Sequence, residues 1–373
     1  MFRPKTLGIA RIVTKQQTRT FAAAVSQVNI AAEKSYTKEE IAEIYKKPLL
    51  DLVFEASSIH RQNHDPHEIQ LCTLLNIKSG GCSEDCSYCS QSSRYKTTSP
   101  VTKLMSVDDV LVKAREARDN GSTRFCMGSA WRDMNGRKAN LKRICEMVTE
   151  IRGMGMEVCT TLGMLNEAQA KDLKEAGLTA YNHNIDTSKE FYPSVITTRS
   201  FEERLNTIDN VKKAGIKVCS GGILGLGEKE ADRISFLQTL SGIKPESLPI
   251  NALVPIEGTP LFSQKTKPLP IHDIVRTIAT ARILLPKTII RLAAGRISLP
   301  ETDQAMCFMA GANAVFTGER MLTTACSGWD EDKSMLSRWG LRGMESFAAE
   351  KKLAASTSHS TFKDAETVRT LEA

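Results

Sequence analysis

Three of the ten cysteines fall in one short run, Cys82-Ser83-Glu84-Asp85-Cys86-Ser87-Tyr88-Cys89. This spacing, x₃ then x₂, lets three thiolates take three corners of an iron–sulfur cubane, a cluster that normally has four cysteine ligands. Three ligands leave one iron with open positions, as a catalytic centre requires. Structural zinc would want a fourth Cys or His at short range, and none follows. Disulfides are the other alternative, disfavoured in a reducing compartment. Further along, Cys126, Cys159 and Cys219 each close a β-rich run. Asn182, Asn184 and Asp186 alternate, so on one strand they would face one side. Asn251 follows Pro249-Ile250 at the start of another β-like run, and Arg291 sits inside an apolar one. A core holding so many polar groups is costly without a ligand to pair with. His60, His64 and His67, followed by Glu68, have zinc-like spacing, but Asp65-Pro66 breaks the helix between them. Cys72, Cys145, Cys307 and Cys326 fit no ligand pattern and read as small apolar residues; Met127, Met306 and Met309 read as packing.

The elements that must position these groups alternate. Leu111–Arg118, Leu141–Ile151, Ala168–Lys174 and Leu205–Lys213 carry helical stripes, each leading through a glycine to a short β-rich run. Ile274–Leu284 leads through Pro286 to Ile289–Leu292, and Gly311-Ala312 precedes Ala314-Val315-Phe316. Glycine after a helix suits the left-handed position that ends it. Repeated helix-Gly-strand units imply a parallel α/β sheet. No linker divides residues 36–347, whose length fits one (β/α)8 TIM-type barrel. A doubly wound open sheet is the alternative. In a barrel the polar strand residues would converge on the interior near the C-terminal rim.

The chain has 373 residues, 41% hydrophobic and 25% charged, and a net charge of +7, the balance of a globular protein. No run approaches the ~20 apolar residues of a membrane span. Residues 1–32 hold five basic residues and no acid, leaving +2 for the remainder. That composition, with Ser, Thr and Gln and no continuous apolar core, reads as a mitochondrial transit peptide rather than a secretory signal. The charge therefore speaks for import, not for nucleic acid. Thr37-Lys38-Glu39-Glu40 reads as a capping box near the start of the mature protein. Residues 350–373 are polar and expected to be a disordered tail.

The C-x₃-C-x-aromatic-C run resembles the signature of the radical S-adenosylmethionine (AdoMet) superfamily. Within it, the sequence resembles the biotin synthase family over about residues 36–324. The motifs that carry the resemblance include Lys78-Ser79-Gly80-Gly81-Cys82, Arg124-Phe125-Cys126-Met127-Gly128, Tyr181-Asn182-His183-Asn184-Ile185-Asp186-Thr187, Lys217-Val218-Cys219-Ser220-Gly221-Gly222, Pro249-Ile250-Asn251 and Arg291-Leu292-Ala293-Ala294-Gly295-Arg296. The resemblance implies that Cys82, Cys86 and Cys89 bind a [4Fe–4S] cluster whose open iron chelates AdoMet. It implies that Cys126, Cys159, Cys219 and Arg291 bind a [2Fe–2S] cluster. Tyr88 and the G-x-I-x-G-x-x-E element (Gly221, Ile223, Gly225, Glu228) would lie near the adenine, and Asp186 beside the ribose. Asn184 and Asn251 would meet the ureido ring of dethiobiotin, an amide supplying both donor and acceptor. Asn182 would be a second contact. The implied activity is a sulfurtransferase reaction: a 5′-deoxyadenosyl radical breaks unactivated C–H bonds, and a cluster sulfide enters to give biotin. No side-chain acid or base can do this, so a cofactor must. The implied partners are dethiobiotin, AdoMet, a flavodoxin- or ferredoxin-like electron donor, iron–sulfur assembly proteins and a second copy in a homodimer, in the mitochondrial matrix. Other readings are a different radical AdoMet enzyme, which would lack the second cysteine set, and a non-catalytic iron–sulfur scaffold, which would leave the Asn/Asp pattern unexplained. Lipoyl synthase would need a second three-cysteine motif at short spacing.

Overall fold

Most helix-to-strand joints turn on a glycine in the left-handed region, as at Gly177 (φ 91°) and Gly215 (φ 70°), where a Cβ would be strained. A computed structural model describes residues 35–346 apart from 266–267, 319 and 322–323. The expected transit segment, residues 1–32, and the expected tail, residues 350–373, lie outside the described residues. The longer helices are α1 (Lys38–Tyr45), α2 (Leu49–Asn63), α3 (Val107–Asp119), α4 (Lys138–Gly153), α5 (Glu167–Glu175), α6 (Phe201–Lys213), α7 (Glu230–Ile243), α8 (Ile271–Leu284), α9 (Glu301–Met309) and α10 (Trp329–Arg338). The strands that build the barrel are β1 (Glu68–Lys78), β2 (Arg124–Ser129), β3 (Glu157–Thr161), β4 (Ala180–Asn182), β5 (Lys217–Cys219), β6 (Gly222–Leu224), β7 (Ser247–Ala252), β8 (Ile289–Leu292) and β9 (Ala314–Phe316).

Eight strands run in the order β1-β2-β3-β4-β5-β7-β8-β9, all parallel, and β9 pairs back onto β1 through Gln70–Ala314, Leu71–Val315 and Cys72–Phe316. The sheet therefore closes into a (β/α)8 barrel, and the open-sheet alternative falls. β6 resumes the course of β5 and pairs with β7. Helix starts are set locally: Thr37, Asn166 and Ser200 each form a capping box with the residue three positions on. Apolar faces of α3 (Val110, Ala114, Ala117) and α4 (Leu141, Ile144, Val148, Ile151) pack inward on the barrel wall.

Three expectations need correction. Cys126 and Cys159 do not close their strands; they sit in mid-strand, deeper than the rim, because β2 and β3 run on to Ser129 and Thr161. Asn182, Asn184 and Asp186 do not share one regular strand. β4 ends at Asn182, and Asp186 adopts φ 66°. Beyond Asn182 the chain is held irregularly, with Ile185 N–H and Asp186 N–H both donating to Gly221 O at 3.0 and 3.1 Å. Asn251 lies near the end of β7, not at its start, since the strand begins at Ser247 and accommodates Pro249.

Candidate active site

The cysteine run forms a loop after β1, before α3. Its backbone is fixed by Cys82 N–H to Gln91 O (3.0 Å), Ser93 N–H to Cys82 O (2.7 Å) and Cys89 N–H to Cys86 O (2.9 Å). Glu84, buried, takes Arg132 at 3.0 Å, and Asp85 accepts from the backbone N–H of Thr197 (2.9 Å) and Thr198 (3.1 Å), pinning the loop to the β4–α6 connection. Cys82, Cys86 and Cys89 all line a cavity of about 310 Å³ at the mouth of the barrel. Burial raises all three thiols, Cys89 to about 11. Without a metal they are neutral, and binding one requires their protons to leave.

The same cavity reaches down to Cys126, Cys159, Cys219 and Arg291. Cys126 and Cys159 are direct cross-strand neighbours, and Cys159 is in register with Ala180. Cys219 stands one strand further on, so the small Ala180 leaves room among the three thiols. Two buried guanidinium groups, Arg124 and Arg291, face this set. Arg124 has Glu157 at 3.5 Å, but the Nε atoms of both arginines lack a hydrogen-bond partner. Buried cations with orphaned donors call for an anionic group. Three thiolates with inorganic sulfide answer that need, so the residues fit an iron–sulfur centre. The thiols already feel it: hydrogen bonding to Cys159, then the charges of Arg291 and Arg124, draw Cys219 down to about 5. Cys159 is pushed up by the same hydrogen bonds with Cys126 and Cys219 and by burial.

Between the two thiol sets lie the expected polar contacts. Asp186 Oδ2 accepts from Tyr88 Oη at 2.8 Å and pairs with buried Arg204, whose Nε donates to Tyr192 Oη at 2.8 Å. Asn182 Nδ2 donates to Thr161 Oγ1 (3.0 Å), and Asn184 Oδ1 accepts from Gly221 N–H (3.1 Å), leaving the Asn184 amide N–H groups for the cavity it lines. Asn251 is more committed, donating to Gly222 O (2.8 Å) and accepting from Ala294 N–H (3.0 Å). Of the glycine-rich element only Ile223 lines the cavity; Gly221, Gly225 and Glu228 lie off its wall. A Cβ on Gly222 would come within 2.3 Å of Asp186 O, and one on Gly221 within 2.0 Å of Pro249 O, so close backbone approach explains both glycines. Glu228 is buried, accepts from Gly225 N–H at 3.0 Å and pairs with Arg233 at 3.3 Å, closing the turn.

His60 is buried on α2, His64 stands at that helix's end, and His67 lies beyond it. His64 Nε2 lies 3.0 Å from Arg282 Nη1, and His67 pairs with Asp65. Among the described residues no three His, Cys, Asp or Glu groups form a single-ion site. Sequence reasoning missed Cys72, Gln70 and Ser247, which hold Arg291. Far from being ordinary packing, Cys72 Sγ accepts from Arg291 Nη2 at 3.2 Å. The alternation Gln70, Cys72, Leu74 along β1 was the available signal, since all three point into the barrel. Arg199 and Arg204 on the cavity wall were missed too, having no motif in the sequence.

A three-thiol loop at the mouth of a closed (β/α)8 barrel defines an enzyme of the radical AdoMet type. Residues 76–240 match the Radical SAM superfamily, and residues 249–342 match the Biotin and Thiamin Synthesis associated domain. The chain belongs to the biotin synthase family. It is 61% identical to mitochondrial biotin synthase of Emericella nidulans, over 88% of this chain and 84% of that protein. It is 62% identical to biotin synthase of Schizosaccharomyces pombe (84% and 87%) and 56% to the mitochondrial enzyme of Arabidopsis thaliana (82% and 81%). Among solved structures, methylornithine synthase is similar in fold alone, at 18% identity and TM-score 0.70 over 85% of this chain and 97% of that one. The same holds for the FeFe-hydrogenase maturase HydG from Carboxydothermus hydrogenoformans, at 18% identity and TM-score 0.69 over 83% and 76%. No helix among the described residues is long and apolar enough to cross a membrane.

Proposed function

We infer that this chain inserts sulfur into dethiobiotin to form biotin. The observation that carries the reading is that two separate thiol sets, one on a loop and one on barrel strands, open into a single cavity. In this reading Cys82, Cys86 and Cys89 hold a [4Fe–4S] cluster, and Cys126, Cys159, Cys219 and Arg291 hold a [2Fe–2S] cluster. When bound, the first supplies the electron that cleaves AdoMet to a 5′-deoxyadenosyl radical, and the second supplies the sulfur atom.

The chain's own residues bind, orient and exclude water. Asp186, fixed by Tyr88 and Arg204, offers its remaining carboxylate oxygen to a ribose hydroxyl. Ile223 and Tyr88 give the adenine an apolar wall, while Gly221, Gly225 and Glu228 act behind it by shaping the turn. Asn184 and Asn182 present amide groups to the ureido ring, and Asn251 fixes the backbone of β6 at Gly222 and of the segment after β8 at Ala294 beside it. Holding substrate carbon and sulfur source in one enclosed space replaces an encounter in solution by a fixed approach. The names of the fungal and plant relatives support a mitochondrial location, in the matrix. A flavodoxin- or ferredoxin-like donor, iron–sulfur assembly proteins and a homodimeric state complete the proposal.

The test is a pair of variants purified and reconstituted anaerobically. Cys82→Ala should abolish 5′-deoxyadenosine formation. Cys126→Ala should keep AdoMet cleavage and lose biotin. Loss of 5′-deoxyadenosine formation in both would refute the division of the two thiol sets.

A further inference from the structure

We propose that the outer face of the cysteine loop, centred on Val101 and carrying Arg94, Lys96 and Lys103, is the docking surface for a small acidic one-electron carrier protein. The inference rests on the proposed function only in that an electron must enter at this loop.

Val101 is 74% exposed, although it is a large apolar residue. It lies directly over the loop: its Cγ1 stands 3.3 Å from where a Cβ on Gly81 would be, one residue before Cys82. Thr102 and Ser79 lock the two segments together, Thr102 N–H donating to Ser79 O at 3.0 Å and Ser79 N–H to Thr102 Oγ1 at 2.9 Å. Lys103 follows at once and is exposed. Arg94, also exposed, donates through Nε to Ser83 O at 3.1 Å, so its charge sits on the carbonyl of the residue after Cys82. Lys96 is exposed on the same loop.

Within the segment 79–105 the charge is one-sided. Between Ser79 and Met105 the only acids are Glu84 and Asp85, and both are spent inside the fold on Arg132 and on Thr197 and Thr198. Among the described residues no ion pair engages Arg94, Lys96 or Lys103. An exposed apolar centre among unpaired cations suits a transient electron-transfer encounter, which buries little area and gains its rate from charge complementarity. The face also covers the loop that carries Cys82, with Val101 over Gly81 and Arg94 on Ser83 O, so a carrier seated there stands against the residues that flank that thiol. One electron passes inward: the carrier is oxidised and the iron–sulfur centre is reduced.

The test uses the double variant Lys96→Glu/Lys103→Glu, which removes no side-chain hydrogen bond seen in the fold, and a plant-type ferredoxin as the probe. Association of oxidised ferredoxin with the purified chain is measured by biolayer interferometry at low and high salt. Reduction of the reconstituted chain is followed by stopped flow, with ferredoxin and separately with dithionite. The expected result is about a tenfold or greater loss in ferredoxin association and reduction rate at low salt, with the salt dependence flattened and the dithionite rate unchanged. An unchanged ferredoxin rate would overturn the proposal. Equal slowing with both reductants would also overturn it, because the patch would then act through the loop and not through docking. Failure of the unaltered chain to cleave AdoMet with dithionite would instead count against the proposed function.

Discussion

Arg291 Nη2 lies 3.2 Å from the sulfur of Cys72, so one arm of the guanidinium is held by β1 while the other faces the thiols. Gln70 Oε1 (2.9 Å) shares the first arm; Ser247 Oγ (3.0 Å) and Cys219 (3.9 Å) meet the second. Cys72→Ala should remove one acceptor from a buried charge, costing about 1–2 kcal/mol. In a chain of this size that lowers Tm by roughly 1.5–3 °C. Cys72→Ser keeps an acceptor and should stay closer to the unaltered protein. Thermal unfolding of the unloaded chain checks this, and equal losses in the two variants would contradict it.

Asp186 and Arg204 form a buried ion pair, with Tyr88 as a second donor to the same oxygen. Asp186→Asn strands a buried guanidinium and should cost about 3–5 kcal/mol. Tyr88→Phe removes one hydrogen bond to a charged group and should cost about 1.5–3 kcal/mol. Urea unfolding ranks the two, and greater damage from Tyr88→Phe would be inconsistent with this arrangement.

Most of the barrel was legible because its joints are marked. Where a glycine followed an amphipathic stripe, as at Gly177 and Gly215, a helix ends and a strand begins where the sequence put them, although β4 stops at Asn182. α7 escaped notice for two physical reasons. It is buried on nearly every side, from Arg233 through Leu237 to Ile243, so it shows no stripe. Its joint to β7 uses Lys244 at φ 51°, a left-handed residue that is not glycine. β1 was hidden by burial on both faces and by Cys72, which looks apolar in sequence and becomes a partner of Arg291 only when strand closure brings β8 and β1 to the same barrel floor. Cys82, Cys86 and Cys89 were legible from spacing, and Arg291 stood out as a charge in an apolar run; Arg124 did not, since its partner Glu157 lies far away in sequence.

Stability should fall below neutral pH because of His60 on α2 and His64 at its end. Burial and then Arg282 lower His60 to about 3 and His64 to about 4, from an ordinary value of 6.5. The folded chain therefore keeps both neutral, while the unfolded chain protonates them below about 6.5. The contribution is complete above that pH and is lost as pH falls from 6.5 toward 4. The slope is roughly 1.4 kcal/mol per unit for buried His60, and less for the part-exposed His64. Urea unfolding at pH 7.5 and 5.5 measures it. The variant His60→Gln/His64→Gln should show a flatter dependence; an identical slope would exclude these histidines as its source.

Two glycines should respond in opposite directions to the same added methyl. Gly222→Ala drives a Cβ against Asp186 O and the Phe236 ring, at 2.3 and 2.6 Å, and should cost about 3 kcal/mol or more while displacing Asp186. Gly242→Ala, on α7 with nothing within 4 Å, should gain about 0.5–1 kcal/mol. Their unfolding midpoints, with AdoMet affinity for the first, provide the check.

The central claim is that sulfur held by Cys126, Cys159, Cys219 and Arg291 enters the product from within the same cavity. The direct measurement is to reconstitute the chain anaerobically with ³⁴S-sulfide, remove unbound sulfide, and supply dethiobiotin, AdoMet and dithionite. Mass spectrometry of the biotin formed in one turnover should find it labelled with ³⁴S, together with 5′-deoxyadenosine. Unlabelled biotin, or 5′-deoxyadenosine without biotin from a fully loaded chain, would contradict the account.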